Sequence, residues 1–380
     1  MRVITDILKD VFCYIVSFFY RKQNLWLVME RGTDARDNGY WFFKYLIDNH
    51  SDQTAIYVIS KDSPDLEKVK KCGPVVEYNS IKHGIYYYAA KYRVGTHQSL
   101  ARPEWRAIEA LQKKTFVRAR GYTAFLQHGI IKDNIHGLKY PNFITDLFIC
   151  GAKPEYEFIN RSYGFEDGVV RYTGLARFDN LTRNADLKKK QVLLMPTWRT
   201  FLLGKEKSEF ESSQYFNKYQ SLLDSEELHR LLELNDYDLI FYPHYEIQRW
   251  ISSFTSKSNR VKIASFKDYD VQKLLIESEI LITDYSSVFF DMAYMNRETI
   301  FFQFDKEKYR ASQYQEGYFK YEDSFGPVVE SVEEVILCVA DYFKNGVAEK
   351  YQSNMNKYFV FHDENNSYRI FKAITEIKKG

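Results

Sequence analysis

At 380 residues the chain is too long for one ordinary core and fits two domains. Hydrophobic residues make up 45% and aromatic residues 17%, enough to fill two cores, which excludes a disordered chain. A formal net charge of +2 supplies no field for nucleic acid, and the four cysteines (Cys13, Cys72, Cys150, Cys338) are scattered as free thiols of a reducing compartment are.

The first predicted element is an apolar run, Val11 to Tyr20 (VFCYIVSFFY), with Lys9 before it and Arg21 and Lys22 after it. It is too short to span a bilayer, which takes about 20 residues, and no small-residue cleavage site follows. Two readings stay open: an interfacial helix with its aromatic face in the lipid boundary, and a first helix packed on its own domain. Short apolar runs then read as buried strands: LWLVME (25–30), AIYVIS (55–60), VVEY (75–78), YRVGT (92–96), TAFLQH (123–128), LFICG (147–151) and VRYTG (170–174). Helical spacing separates several of them, as in GYWFFKYLIDN (39–49) and IKHGIYYYAAK (81–91). That alternation predicts a parallel α/β sheet. The polar NLTRNADLKKKQ (180–191) suits a linker or a solvated helix. A second series runs through VLLMPT (192–197), DLIFYP (238–243), RVKIAS (260–265), ILIT (280–283) and TIFFQF (299–304). The expectation is an α/β fold of two Rossmann-like domains facing a cleft. They cover 23–185 and 186–380, the second ending in a helical tail, with residues 1–22 as the candidate interfacial helix.

Open parallel sheets bind ligands at the carboxyl ends of their strands. The polar residues there are few: Arg36, Asp37 and Asn38 after the first strand, His128 and Lys132 after TAFLQ, and Arg177 after VRYTG. In the second series they are Thr197 and Arg199, then His244, then Asp284-Tyr285-Ser286-Ser287. Cations, two histidines and a serine pair suit phosphates and a proton acceptor better than a peptide or an apolar ligand. Ser286 and Ser287 open VFFDMAYM, so they fall at a predicted helix start, where unpaired amides favour an anion. The competing reading is that one serine only caps the helix. Asp291, a turn further on, is either a site residue or a solvated first-turn carboxylate. A lone histidine is more often structural than functional; two at equivalent strand ends make a general base worth naming. His83, His97, His136 and His362 lack that setting and are read as structural. Asp236–Asp238 and Asp268–Asp270 resemble metal-binding pairs, but turn and capping roles explain both, so no metal or other cofactor is expected.

In order along the chain, ARDNGYWFFKYL, LQHGIIKDN, YTGLARFDNL, LMPTWRT, FYPHYEI, LITDYSSVFFDMA and FFQFDKEKY resemble the CDP-glycerol glycerophosphotransferase family, which builds teichoic acids and related polyol-phosphate polymers in bacteria. The match departs at both histidine motifs. His128 is followed by Gly129-Ile130-Ile131 where the family usually has Gly-Thr, with Lys132 kept, and His244 sits in Tyr242-Pro243-His244-Tyr245 rather than Lys-Pro-His-Pro.

The resemblance implies a GT-B-type fold with the acceptor mainly on the first domain and the CDP-polyol mainly on the second. It implies peripheral attachment to the cytoplasmic face of the cell membrane, because the family's acceptors are lipid-linked. The implied reaction is attack of an acceptor hydroxyl on the phosphorus carrying the polyol, with release of CMP. By the same resemblance His128 is the base, while Lys132, Arg199, His244, Ser286 and Ser287 hold the pyrophosphate. Asp284 and Asp305 position a cation or polyol hydroxyls, and Arg36, Asp37 and Asn38 lie on the acceptor side. The open alternatives are a CDP-ribitol donor, a GT-B glycosyltransferase using a nucleotide sugar, and a non-catalytic scaffold with a decayed site.

Overall fold

Apolar runs become strands where their alternate faces are both covered, and the order of those strands decides where a ligand can bind. The computed structural model describes residues 2–21, 24–105, 117–312 and 315–377, with side chains from residue 5 onward; Lys22 lies outside them. In chain order the strands are β1 (Leu25–Met29), β2 (Thr54–Ile59), β3 (Val75–Glu77), β4 (Tyr92–Gly95), β5 (Tyr122–Phe125), β6 (Asp133–Asn134), β7 (Leu147–Cys150) and β8 (Val170–Tyr172). They continue as β9 (Gln191–Leu194), β10 (Asp238–Phe241), β11 (Val261–Ile263), β12 (Ile280–Thr283), β13 (Glu298–Phe302), β14 (Gln315–Glu316) and β15 (Val328–Val329).

The chain divides into two units. Unit 1 is Met1–Ile130, His136–Asn180 and Asp363–Gly380; unit 2 is Ile131–Ile135 and Leu181–His362. Unit 1 carries a sheet ordered β3-β2-β1-β4-β5-β7-β8, parallel throughout. Unit 2 carries a sheet ordered β11-β10-β9-β12-β13-β15, also parallel. Each starts at a central strand, runs to one edge and returns to the other side, which is the doubly wound Rossmann order. The points where the order reverses are β1/β4 and β9/β12, and ligand crevices open there. Buried on both faces, β1 and β7 read as continuous apolar runs, and β9, β12 and β13 each carry an apolar core of three residues.

The C-terminal tail corrects the expected boundaries. The helix Asn366–Thr375 belongs to unit 1, not to the second series. The Asp179 carboxylate accepts the backbone N–H of Asn366 at 2.7 Å and of Ser367 at 2.8 Å, so it caps that helix from the far side of the sequence. Phe371 stacks on His50 with centroids 3.7 Å apart and on Trp26 at 5.4 Å. Local sequence carries no sign of a cap 187 residues away.

The N-terminal helix Arg2–Ser17 has two faces. Asp10, Cys13, Tyr14 and Ser17 are buried, and the Tyr88 hydroxyl donates to Asp10 at 2.7 Å, fixing the helix to Ile81–Ala89. Leu8, Phe12, Ile15, Phe18 and Phe19 are at least half exposed. Spacing of four and three residues puts Leu8, Phe12 and Ile15 on one outward stripe. Among the described residues no helix is long and apolar enough to cross a membrane.

Candidate active site

In unit 1 Glu30 is the first residue after β1, buried beneath the loop that follows. Its carboxylate accepts the backbone N–H groups of Arg36 (2.9 Å), Asp37 (3.0 Å) and Tyr40 (2.8 Å). Burial, helped by Asp37 and Asp34, pushes its pKa up to about 8 although those amides favour the ionised form. Gly39 lets the helix Asn38–Asn49 approach, since a Cβ there would stand 2.7 Å from Glu30 Cγ. Glu30 thus shapes the loop after β1.

The residues predicted from that loop are brought together but are mostly spent on the protein. Arg36 Nε pairs with Asp65 at 2.8 Å. Asn38 is fully buried: its amide donates to Gln127 O at 2.8 Å, and its Oδ1 accepts from Arg177 N at 3.2 Å. Asp37 caps its helix and accepts from Arg177 Nη1 at 2.6 Å. That same nitrogen donates to His128 O at 3.1 Å. Asn38 is therefore corrected from an acceptor ligand to a brace, because both ends of its amide are taken by backbone.

His128 follows Gln127, a non-glycine residue held at φ 61°. A left-handed conformation costs energy, and here the buried Gln127 amide offsets it by donating to Ile149 O. The turn puts His128 at the carboxyl end of β5 with an exposed edge. Its Nδ1 faces the Thr96 carbonyl at 3.4 Å, so Nδ1 carries the proton and Nε2 keeps its lone pair. Crowding by protein atoms lowers the His128 pKa; Asp37 and the Thr96 carbonyl pull it up, and Arg31 and Arg177 push it down.

In unit 2 the reversal point is built around Asp284. Its Oδ1 accepts from Thr197 N (2.8 Å) and Tyr285 N (2.6 Å), which ties the end of β9 to the end of β12. Its Oδ2 accepts from Tyr219 OH at 3.1 Å and meets Arg199 Nη2 at 2.8 Å. Arg199 also forks onto Asp305 through Nε (2.7 Å) and Nη2 (3.0 Å). Both Arg199 and Asp284 are wholly buried. This corrects three assignments. Arg199 spends its charge on two carboxylates instead of a phosphate, and Asp284 and Asp305 hold Arg199 instead of a polyol or cation. A buried guanidinium without both partners would carry a large desolvation penalty.

Lys132 is corrected in the same way. It is buried against Asp133, which also takes Arg310 Nη1 at 2.8 Å, and burial lowers the lysine's pKa. Asp291 is buried in the helix Phe289–Tyr294 and is not a solvated first-turn carboxylate.

Ser286 and Ser287 lie in the turn between β12 and that helix, which has only six residues. Val288 occupies the cap position, so neither serine hydroxyl is the cap the sequence suggested. The serines' carbonyls take the first amides instead: Phe290 N donates to Ser287 O at 3.1 Å. Both side chains are half-buried, and among the described residues neither hydroxyl has a protein partner. Thr197 Oγ1, on the adjoining strand end, is also buried and unpaired. His244 stands beside Trp198, with ring centroids 6.0 Å apart. Its Nδ1 accepts from Glu246 N at 3.2 Å, so in the neutral ring the proton sits on Nε2. The two histidines are thus set in opposite tautomers.

The aspartate pairs have ordinary roles. Asp236 ends a helix in the left-handed conformation and pairs with Arg260, and Asp270 caps Val271–Glu277. Among the described residues no three His, Cys, Asp or Glu side chains gather as a metal ion would need. One residue the sequence reading left as structural lies against a candidate site residue: the His97 ring lies 4.7 Å from that of His128 with 10° between planes. A histidine just past the end of β4, at the β1/β4 reversal, was the available signal.

Residues 11–376 match the family model described as CDP-Glycerol:Poly(glycerophosphate) glycerophosphotransferase. The chain is 32% identical over 380 residues to the minor teichoic acid biosynthesis protein GgaB of Bacillus subtilis (strain 168), covering 96% of this chain and 41% of that protein. It is 36% identical over 206 residues to the teichoic acid poly(glycerol phosphate) polymerase of Bacillus spizizenii, covering 52% of this chain and 48% of that one. The chain therefore spans less than half the length of these relatives. Its fold is similar to that of the wall teichoic acid polymerase TagF, with a TM-score of 0.70 at 19% identity over 98% of this chain and 97% of that one.

Proposed function

The chain belongs to the CDP-Glycerol:Poly(glycerophosphate) glycerophosphotransferase family, and from that premise we propose that it transfers glycerol phosphate from CDP-glycerol to a hydroxyl of a teichoic-acid-type acceptor. The acceptor oxygen attacks the phosphorus that bears the glycerol. A new P–O bond forms as the bond to the bridging oxygen breaks, and CMP leaves with that electron pair. The hydroxyl proton passes to Nε2 of His128.

The observation that carries this reading is the tautomer of His128: Nδ1 against the Thr96 carbonyl, Nε2 left with its lone pair. A base needs that lone pair and a pKa near or below working pH, so that it is unprotonated when substrate arrives. In unit 2 the hydroxyls of Thr197, Ser286 and Ser287 supply donors for the diphosphate, and His244 adds an Nε2–H that meets charge as CMP departs. Arg199, Asp284 and Asp305 act one step back, holding the strand ends that carry those hydroxyls. Transfer of this kind depends on alignment and charge stabilisation more than on covalent help.

The outward stripe of Leu8, Phe12 and Ile15, followed by the exposed Phe18 and Phe19, supports peripheral attachment at the cytoplasmic membrane face, where a lipid-linked acceptor is presented. Lys9, within the stripe's span, and Arg21, just beyond it, add positive charge.

The test is turnover by purified protein with a lipid-linked acceptor and CDP-glycerol, CDP-ribitol or a nucleotide sugar, read by product mass and by the nucleotide released. CMP and a glycerol phosphate increment are expected. UDP or GDP release would make the protein a glycosyltransferase, a ribitol increment would change the donor, and no turnover with any donor would favour the scaffold reading.

A further inference from the structure

We propose that His97 is the positioning residue for His128: its ring forms the wall that fixes the base's plane and shields one of its faces from water. The proposal rests on His128 acting as the base, and it goes beyond that reading by giving a role to a side chain that contacts no reacting atom.

The geometry is specific. The rings are nearly parallel, 10° apart with centroids at 4.7 Å, so one face of His128 is covered by an aromatic surface. His97 is itself held at both nitrogens. Arg31 Nε donates to His97 Nε2 at 3.2 Å, which makes Nε2 the acceptor and places the ring proton on Nδ1. That Nδ1–H points at Thr96 Oγ1, 2.9 Å away. Thr96 therefore serves both rings, its hydroxyl accepting from His97 and its carbonyl accepting from His128.

His97 has no lone pair to offer a substrate, and it stays uncharged. Burial, then His128 and Arg31, lower its pKa to about 3, so the ring is neutral near neutral pH. A neutral ring against His128 excludes water without adding repulsion. The other groups around His128 are charged: Asp37 and Arg31 from the loop after β1, and Arg177 from the segment after β8. Asp37 already accepts from Arg177, and the ring of His97 is the uncharged surface that covers the base and lowers its pKa by shielding that face.

The test compares His97→Ala, His97→Gln and His97→Phe by pH profile and by histidine-selective 15N NMR of the His128 ring, the second of which needs no substrate. Ala and Gln remove the aromatic wall, so the His128 pKa and the acid limb of kcat/KM should both move up. Their kcat should fall by about tenfold, a fraction of the roughly 100-fold or more that a positioned base contributes, while donor KM stays within about twofold. Phe restores the wall without the nitrogens and should return the His128 pKa to the wild-type value and most of kcat. Where Ala fails to fold, Gln against Phe decides. An unshifted His128 pKa in Ala or Gln, or a shift in folded Phe as large as in Gln, overturns the proposal. Absence of turnover in the wild-type protein would instead remove the reading of His128 as base, and the NMR arm would still report whether His97 controls that ring.

Discussion

Arg199 Nη2 and Asp284 Oδ2 meet at 2.8 Å with no solvent access to either side chain. The pair joins the ends of two neighbouring strands, and Asp305 takes the same guanidinium from its other side, at 2.7 Å from Nε. Removing one partner from such a cluster typically costs about 3–5 kcal/mol, because a buried charge is left uncompensated. Arg199→Met should therefore destabilise unit 2 by that order in urea denaturation. Arg199→Lys keeps the charge but loses the fork. It should lower Tm clearly while the protein that remains folded binds CDP-glycerol with affinity close to wild type. A Lys variant with wild-type stability and lost donor binding would return Arg199 to the phosphate.

His128→Ala should lower kcat by about 100-fold or more, since a base acts mainly in the transition state. Tm should barely move, because the ring has an exposed edge and a single long hydrogen bond of 3.4 Å. Donor affinity by calorimetry should be unchanged. The pH profile has a definite sign. The active form is the neutral ring, it exists above the ring's pKa, and that pKa lies below the usual 6.5, so the acid limb of kcat/KM should fall below 6.5.

Ser286→Ala combined with Ser287→Ala should weaken CDP-glycerol binding by at least about tenfold. Each hydrogen bond to a charged group is worth roughly 1.5–3 kcal/mol. Stability should change by less than a helix cap's ~1 kcal/mol, because Val288 and not a serine occupies the cap position. Calorimetry and thermal melts on the same sample separate the two effects.

Glu298 opens β13 with its carboxyl buried and Oε2 unpaired. Burial first, then Asp341, raises its pKa to about 8, against a partial opposing pull from Lys350. The folded pKa is above the unfolded one, so the contribution to stability is full below about 4.5 and is lost as pH rises through about 8. Glu298→Gln should match wild type near the acid end of that window and melt at a higher temperature at its alkaline end. Parallel melting curves across the window, with no crossing, would show that the carboxyl does not titrate there.

Deleting the N-terminal helix is a poor test of membrane binding, because its inner face supplies Cys13, Tyr14 and the Asp10–Tyr88 hydrogen bond to unit 1. Phe12→Ser with Phe19→Ser changes only the outer stripe, where the rings are 52% and 83% exposed. Fully burying a Phe side chain is worth about 1.5–3 kcal/mol. Co-sedimentation with anionic vesicles should fall at least about tenfold while circular dichroism and Tm stay as in wild type. Unchanged sedimentation would mean that the stripe faces something other than lipid.

Strands were legible wherever both faces are buried, because ILIT or LWLVM leaves a continuous apolar run in the text. The two-residue strands β6 and β14 have no period to read, and they were missed. The positions of the site residues were legible for a related reason: PTWR, DYSS and the two histidines follow strands, and the doubly wound order puts ligands at strand ends. Their electrostatic roles were not. Whether Arg199 offers its charge to a ligand depends on carboxylates 85 and 106 positions away, Asp284 and Asp305, which only folding brings to it. His97 was passed over because the ring it covers lies 31 positions further along.

The alternation of the chain between its units has a practical consequence for anyone who would split the protein. Unit 1 is made of three stretches and unit 2 of two. A single cut after Asn180 would give an N-terminal fragment without the helix that brings Phe371 onto Trp26. The C-terminal fragment would lack residues 131–135, and with them the β6 partner of β14 and the carboxylate that receives Arg310. Each fragment would thus expose surface that only the other can cover. The pieces should be poorly soluble alone and should recover folding when co-expressed, so this chain suits split-protein complementation and resists cloning as two autonomous halves.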